Sequence, residues 1–468
     1  MSHSSHHMQD AMGGSGSSAS GSHHDLSSSH QVKSSIHDLK REGSSFMVEE
    51  PGVKSASREG SRMDVGYPEG GPEAIRTTVG AFMVLFVQFG IMNSFGVFEA
   101  QYVRANLRST SESDIAWIGT FQFFVFFFSG AFVGRFFDSF GAKPLLYPGA
   151  VILVLSLIAT SYCYAYYQFF LAQGLLFGIG ASLTFYPALS SLTHWFELKR
   201  GRVMGLVTAG SSLGGVVFPI VLNKLIPVVG FPTAVRIVAG ICAAILLPAS
   251  ALVRTRLPRR AFNKDISSLV DVEGFKDLGY ILFLAASVIT MLGTYNPYIF
   301  VTVYAESRGF GSTVSIYILS IMNAGSFFGR LIPGALADKL GFFNILSIAL
   351  TVAAPILFCW LVVSSAAGFI VWAVFYGFFS GAFIALLPAC IGKFTPDPTK
   401  YGGRAGMVFA FVGIAVLCGP PIAGALITRD HGNFDQMIVY SGVMCVAGAA
   451  LYWVARFKAT AGRLFVKF

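Results

Sequence analysis

The 468 residues are 54% hydrophobic and only 12% charged, about half the share of a soluble domain, which is roughly 25%. Most of the surface of such a chain faces something other than water, so the net charge of +9 reads as a topology signal and not as a nucleic-acid footprint. The six cysteines (Cys163, Cys242, Cys359, Cys390, Cys418 and Cys445) stand in or beside apolar runs without paired spacing, which excludes a disulfide framework and a thiolate metal motif.

Residues 1–76 form a polar tail rich in Ser, Gly and His. It carries seven of the nine histidines: His3, His6, His7, His23, His24, His30 and His37. Its low apolar content predicts a disordered cytoplasmic tail in which the histidines are incidental and not a metal tract. No apolar stretch opens the chain, so no cleavable signal peptide is expected. Beyond it, apolar runs of the length a helix needs to cross a bilayer recur with short breaks. Twelve are predicted, over about 77–103, 114–137, 143–163, 166–192, 202–225, 232–253, 278–303, 312–337, 343–363, 367–391, 403–426 and 435–456. A basic linker over 254–277 divides them six and six, as bundles 77–253 and 278–456, and a short tail, 457–468, closes the chain. With the N-terminus inside, the inner loops and C-terminal tail hold 19 Lys and Arg and the outer loops 6, which predicts that both termini are cytoplasmic.

The two halves repeat each other. Gly134-Arg-Phe-Phe-Asp138-Ser-Phe-Gly141 follows the second span, and Gly334-Ala-Leu-Ala-Asp338-Lys-Leu-Gly341 follows the eighth, 200 residues later. Gly180-Ala181 with Pro187-Ala188 matches Gly381-Ala382 with Pro388-Ala389, and Gly201-Arg202 matches Gly403-Arg404. Such a parallel repeat predicts two six-helix halves that rock about a central site. In each loop the glycines permit a tight turn, and the Asp can cap the next helix or pair with a loop arginine. The conformational set is therefore Gly134, Asp138, Gly141, Gly334, Asp338, Gly341, Arg202 and Arg404. The doubled loop resembles the signature of the major facilitator superfamily, which implies an all-α membrane fold of twelve transmembrane helices.

Several stretches are also similar to the monocarboxylate porter family, in its fungal branch. Pro68-Glu69-Gly70-Gly71 precedes the first span, without the aromatic-Gly-Trp that often follows in that family. Gly90-Ile-Met-Asn93-Ser-Phe-Gly96-Val-Phe98 lies within the first span, and Ile115-Ala-Trp117-Ile-Gly119 opens the second. Lys199-Arg200-Gly-Arg202-Val-Met-Gly205-Leu-Val-Thr-Ala209-Gly210-Ser-Ser-Leu-Gly214 marks the fifth, and Gly329-Arg330-Leu-Ile-Pro333-Gly334 the eighth. The resemblance covers about 68–456 and implies a secondary transporter of a small organic anion, with Arg330 binding the anion. A lysine and an aspartate of the animal members fall at Asn93 and Ser326, so the charges linked to proton coupling there are missing.

Arg330 is the leading candidate on physical grounds as well. An arginine inside an apolar span must face the interior and be paired, and its fork suits a carboxylate. The competing reading is a structural arginine held by backbone carbonyls or a neighbouring acid. Asn93 and Asn323 are uncharged substrate contacts, and Tyr295-Asn296-Pro297 interrupts the seventh span, placing Tyr295 and Asn296 at a cavity or outer gate. Gln88, Gln122 and Gln173 are read as helix–helix hydrogen bonds. Glu99 and Glu306, near the outer ends of spans one and seven, are candidates for proton handling. Gly178-Ile-Gly180 lies mid-span and is no nucleotide fingerprint, no Walker-type Gly-Lys-Ser/Thr is present, and His194 and His431 stand alone. The expectation is a transporter and not an enzyme, without ATP, cofactor or metal, in the plasma membrane, moving a small organic anion with or without protons. The alternative is efflux of a fungal secondary metabolite or another bulkier solute such as a vitamin. A receptor that keeps the fold without transporting is the reading from a different class.

Overall fold

The structure is a computed structural model that describes residues 66–468, apart from 109, 259–273, 396, 461, 464, 465 and 468. Most of the expected N-terminal tail, its histidines included, and much of the 254–277 linker lie outside the described residues. Within the described residues the chain is all helix, with turns between helices. Twelve helices are long and apolar enough to span a bilayer: α1 Pro72–Asn106, α2 Asp114–Phe140, α3 Lys143–Thr160, α4 Tyr166–Leu192, α5 Arg200–Val229, α6 Phe231–Leu252, α7 Leu278–Ser307, α8 Ser312–Leu340, α9 Phe342–Val362, α10 Ala366–Phe394, α11 Pro398–Arg429 and α12 Asp435–Ala459. A helix satisfies its own backbone polar groups, which hydrocarbon cannot do for it.

Lipid and helix neighbours are sorted by side-chain size. On α8, Phe328 and Ile332 are exposed, as large apolar groups facing acyl chains would be. Beside them on the same side of the helix, a Cβ at Gly325 or Gly329 would collide with the backbone carbonyls of Val374 and Phe378 on α10. Small residues thus bring helix backbones together where apolar burial offers no advantage over lipid.

Two spans are broken at matching heights. α7 is interrupted at Tyr295, between helical stretches Leu278–Thr294 and Asn296–Ser307. Pro297 at the start of the second stretch lacks the N–H that would continue the ladder. α1 is interrupted at Ser94, between Pro72–Asn93 and Phe95–Gln101. There the cause is a serine that returns its hydroxyl to the Gly90 carbonyl at 2.7 Å, next to glycines at 90 and 96. Residues 94 and 295 are 201 apart, so the break is part of the repeat.

Candidate functional site

The halves α1–α6 and α7–α12 meet along two seams, α5 against α8 and α2 against α11. Each seam starts at the basic face, where α1 begins, with a carboxylate from one half capping a helix of the other. Asp338 at the end of α8 accepts from the Gly201 and Arg202 amides at 2.7 and 3.1 Å, and the Arg202 guanidinium stands 3.3 Å from it. Asp138 at the end of α2 accepts from the Gly402 and Gly403 amides at 3.1 and 2.8 Å. An anion at a helix N-terminus satisfies orphan N–H groups and the helix dipole together. The capped helix is not the next in sequence, as expected, but the facing helix of the opposite half. Gly141 and Gly341 then end α2 and α8 at φ 80 and 100, a turn that favours glycine.

This capping aligns Gly201 with Gly402 and Arg202 with Gly403, one residue away from the match read in the sequence. Arg404 is therefore no counterpart of Arg202. It is buried, donates to the Phe394 carbonyl and lies over the Tyr280 ring, inside its own half.

One turn further in, backbones touch. A Cβ at Gly134 would collide with the Gly402 carbonyl, and one at Gly406 with the Gly130 carbonyl. On the other seam a Cβ at Gly201 would lie 2.6 Å from the Gly334 carbonyl oxygen, and one at Gly205 would collide with the Arg330 carbonyl. Nothing larger than glycine fits, so the seams are shut at this level.

Arg330 lies above that level, 5% exposed. Its Nε donates to the Ser326 hydroxyl at 3.2 Å, and its Nη1 donates to the Thr208 carbonyl at 2.7 Å and to the Ser211 hydroxyl. Thr208 and Ser211 belong to α5, so the guanidinium ties the halves together. Its partners are carbonyl and hydroxyl groups, and the hydroxyls of Tyr295 and Tyr298 lie within its electrostatic reach. Ser212 continues the seam by donating to Ser326 at 3.2 Å.

Above Arg330 the sequence candidates converge. A Cβ at Gly215 of α5 would lie 2.9 Å from the Asn93 Nδ2 and 3.0 Å from the Asn323 Oδ1. The two amides, from α1 and α8, therefore border one point across the seam. Asn323 donates to the Leu319 carbonyl at 3.0 Å, whereas the half-buried Asn93 amide has no hydrogen-bond partner among the described residues. At the equivalent height beside the α2–α11 seam, Phe123 of α2 meets Tyr295 of α7 edge to face at 5.0 Å. Tyr295 stacks on Tyr298, whose hydroxyl bonds the Ser380 hydroxyl at 2.9 Å.

Other expected residues stand elsewhere. Asn296 is turned away from the seam: its amide donates to the Leu292 carbonyl at 3.0 Å and to Ser441 of α12 at 2.9 Å. Successive helical residues point about 100° apart, so Tyr295 and Asn296 cannot both face the seam. Glu306 is exposed and Glu99 half-buried, both toward the far ends of their spans and apart from the amide pair. Gln173 and Gln88 do bond between helices, with Tyr102 and Thr184, while the Gln122 side chain is buried without a partner among the described residues. Sequence reasoning missed Gly215, Ser211 and Phe123, which carry no charge to single them out.

Residues 75–372 match the Major Facilitator Superfamily. The aspyridones efflux protein apdF of Emericella nidulans is 41% identical over 399 residues, covering 85% of this chain and 80% of that protein. The MFS-type transporter pynF of Aspergillus niger is 38% identical over 382 residues, covering 81% of this chain and 88% of that protein. The fold is similar to the crystal structure of the human organic anion transporter MFSD10 (TETRAN), with a TM-score of 0.64, 16% identity, and 82% and 100% of the two chains covered. That likeness concerns the fold alone. Neither fungal relative is named as a monocarboxylate porter, so the narrower resemblance gains no support from them. The chain belongs to the Major Facilitator Superfamily, with the MFS-type transporters of fungi, and is an integral multi-pass membrane protein that transports small molecules.

Proposed function

We propose that this protein exports a product of secondary metabolism from the cytoplasm across the plasma membrane, by alternating access between its halves. The reading takes over the efflux alternative in place of the monocarboxylate one. Its direct support is the relative named as an efflux protein, with 80% of its length matched. The observation that carries it in the fold is the engagement of Arg330. A carboxylate is held best by two guanidinium nitrogens at once, and here Nε and Nη1 are already engaged by Ser326, Thr208 and Ser211, which leaves only Nη2. The groups at the centre are Asn93, Asn323, Tyr295 and Phe123, which suit a bulkier solute with modest polarity.

In this reading both chain ends are cytoplasmic and the basic face is the inner face, shut by the glycine seams. Rocking the halves breaks the Asp138, Asp338 and Arg330 contacts and opens the centre to the cytoplasm. Among the described residues the central level supplies no carboxylate, so protons that drive export bind elsewhere, with Glu99 the half-buried candidate.

The test compares cells and medium of the source strain, with and without the gene, by mass spectrometry. A compound that accumulates in the cells and falls at least about tenfold in the medium on deletion supports export, a tenfold change being about 1.4 kcal/mol of driving difference. Unchanged metabolite profiles with lost uptake of a carboxylate would return the anion-import reading.

A further inference from the structure

We infer that the substrate is an uncharged solute carrying a hydrogen-bond donor and acceptor side by side on a flat apolar frame, read by Asn93 and Asn323 at a spacing set by Gly215. The inference rests on the central level being the transport site, as proposed above.

Three observations carry it. The first concerns charge. Arg330 is the cation nearest the centre on α8, and its Nε and Nη1 engage Ser326, Thr208 and Ser211, leaving Nη2. An anion bound above it would reach at most Nη2 and not a two-nitrogen fork, so the cost of desolvating it would be poorly offset. The second concerns the amides. Asn93 has a donor and an acceptor with no partner among the described residues, and it sits directly before the break at Ser94. Asn323 spends one N–H on Leu319, and its Oδ1 borders the same point as the Asn93 Nδ2. A donor from one half and an acceptor from the other thus converge, and Gly215 makes the approach possible. A methyl group there would be 2.9–3.0 Å from both amides, so one must shift.

The third is the matching place in the repeat. Asn323 corresponds to Phe123, 200 residues earlier, and the break beside Asn93 corresponds to Tyr295. The two walls of the centre are therefore unlike: an amide pair at α1 and α8, and an aromatic pair at α2 and α7. Rings prefer offset or edge-on partners, so a planar solute packs on Phe123 and Tyr295 while its polar edge meets the amides. A buried site that hydrogen-bonds a donor and acceptor rejects an analogue lacking one of them, because its own groups are then left unpaired.

The test is calorimetric titration of the purified full-length protein in lipid nanodiscs with three bicyclic probes of similar size. 2-Quinolone is neutral with an adjacent N–H and C=O, quinoline lacks the donor, and 2-naphthoate is an anion. The expected result is that 2-quinolone binds at least about tenfold more tightly than either of the others, the size of one well-placed buried hydrogen bond. Asn93→Leu and Gly215→Ala should each weaken 2-quinolone by about tenfold and leave quinoline nearly unchanged. Gly215→Ala risks misfolding, but Asn93→Leu removes no side-chain hydrogen bond among the described residues and keeps the test decisive. The inference is overturned if 2-naphthoate binds as tightly as 2-quinolone, if Asn93→Leu leaves 2-quinolone binding intact, or if 2-quinolone gives no heat up to its solubility limit. Binding has no direction, so a protein that binds 2-quinolone through Asn93 but exports nothing in cells keeps this inference and loses the export reading.

Discussion

The α5–α8 and α2–α11 seams begin alike and then diverge. Both start with an aspartate capping the facing helix, Asp338 over Gly201 and Asp138 over Gly402, and both continue through glycines packed backbone to backbone. Above the glycines, α5–α8 becomes a polar clasp of Arg330 with Thr208 and Ser211, then Ser212 with Ser326. At that height α2–α11 is dry, with Phe127 stacked on Phe409 at 5.8 Å and Gly413 seated against Phe127. A duplicated fold has kept the hinge-like base in both copies and specialised the layer above it. The polar seam can release discrete contacts as the halves part, while the aromatic seam can slide, because dispersion between rings is not directional in the way hydrogen bonds are.

The largest effect is expected from removing the clasp. Arg330→Ala removes the charged donor's bonds to the Thr208 carbonyl and the Ser211 hydroxyl across the seam, at a cost of about 3 kcal/mol to the state shut at the basic face. Export in cells should fall about a hundredfold while membrane insertion, checked by fractionation, is unchanged. If Arg330→Ala exports normally, the polar seam is ornamental and the comparison fails. Next comes Gly134→Leu on the dry seam. Its side chain cannot fit against the Gly402 carbonyl, so the helices must separate at a cost of about 2 kcal/mol. Thiol labelling of a cysteine placed at Ala131 should accelerate, and an unchanged rate would show that the seam tolerates bulk.

The caps come third. Asp138→Ala and Asp338→Ala should each cost about 1–2 kcal/mol, as helix caps do. Arg202→Ala should cost under about 1 kcal/mol, because Arg202 is half exposed and water screens the pair. Thermal unfolding of the three variants ranks them, and a larger loss for Arg202→Ala than for Asp338→Ala would make the ion pair, not the cap, the core of the polar seam.

A last effect, absent at neutral pH, concerns the loop that leads into α5. His194 there is buried, and its Nδ1 accepts from the Arg256 and Leu257 amides, both at 3.4 Å. Burial and, secondarily, the Arg256 charge lower its pKa from the usual 6.5 to about 4. Between those values the unfolded chain binds the extra proton and the folded one does not. Stability is therefore unaffected above pH 6.5 and falls as pH drops toward 4, by about 2 kcal/mol at pH 5. Unfolding of wild type and His194→Gln followed at pH 7 and pH 5 checks this, since the variant should lose that part of the pH dependence.

What the sequence made legible follows its physics. Twelve spans and the basic face could be read because apolar length and loop charge act locally along the chain. The break at Tyr295 was announced by Pro297, whereas the break at Ser94 was not, because serine and glycine are common in intact membrane spans. Arg330 was conspicuous as a charge, but its partners were hidden: Thr208 contributes a backbone carbonyl and Ser211 a hydroxyl, and neither residue type signals an arginine partner. Asn93 and Asn323 could each be noticed, but their meeting depends on Gly215, whose role is to be absent as a side chain. Asn296 was misplaced because adjacent helical residues share a sequence signal but not a direction.

We propose that Arg330 holds the halves together and does not hold a substrate anion. The most direct measurement is electron–electron double resonance between spin labels at Leu198 and Leu340, exposed positions of opposite halves at the basic face. Without substrate, wild type should show one dominant short distance, and Arg330→Ala should add a longer population. An identical distribution in the two proteins would contradict the account.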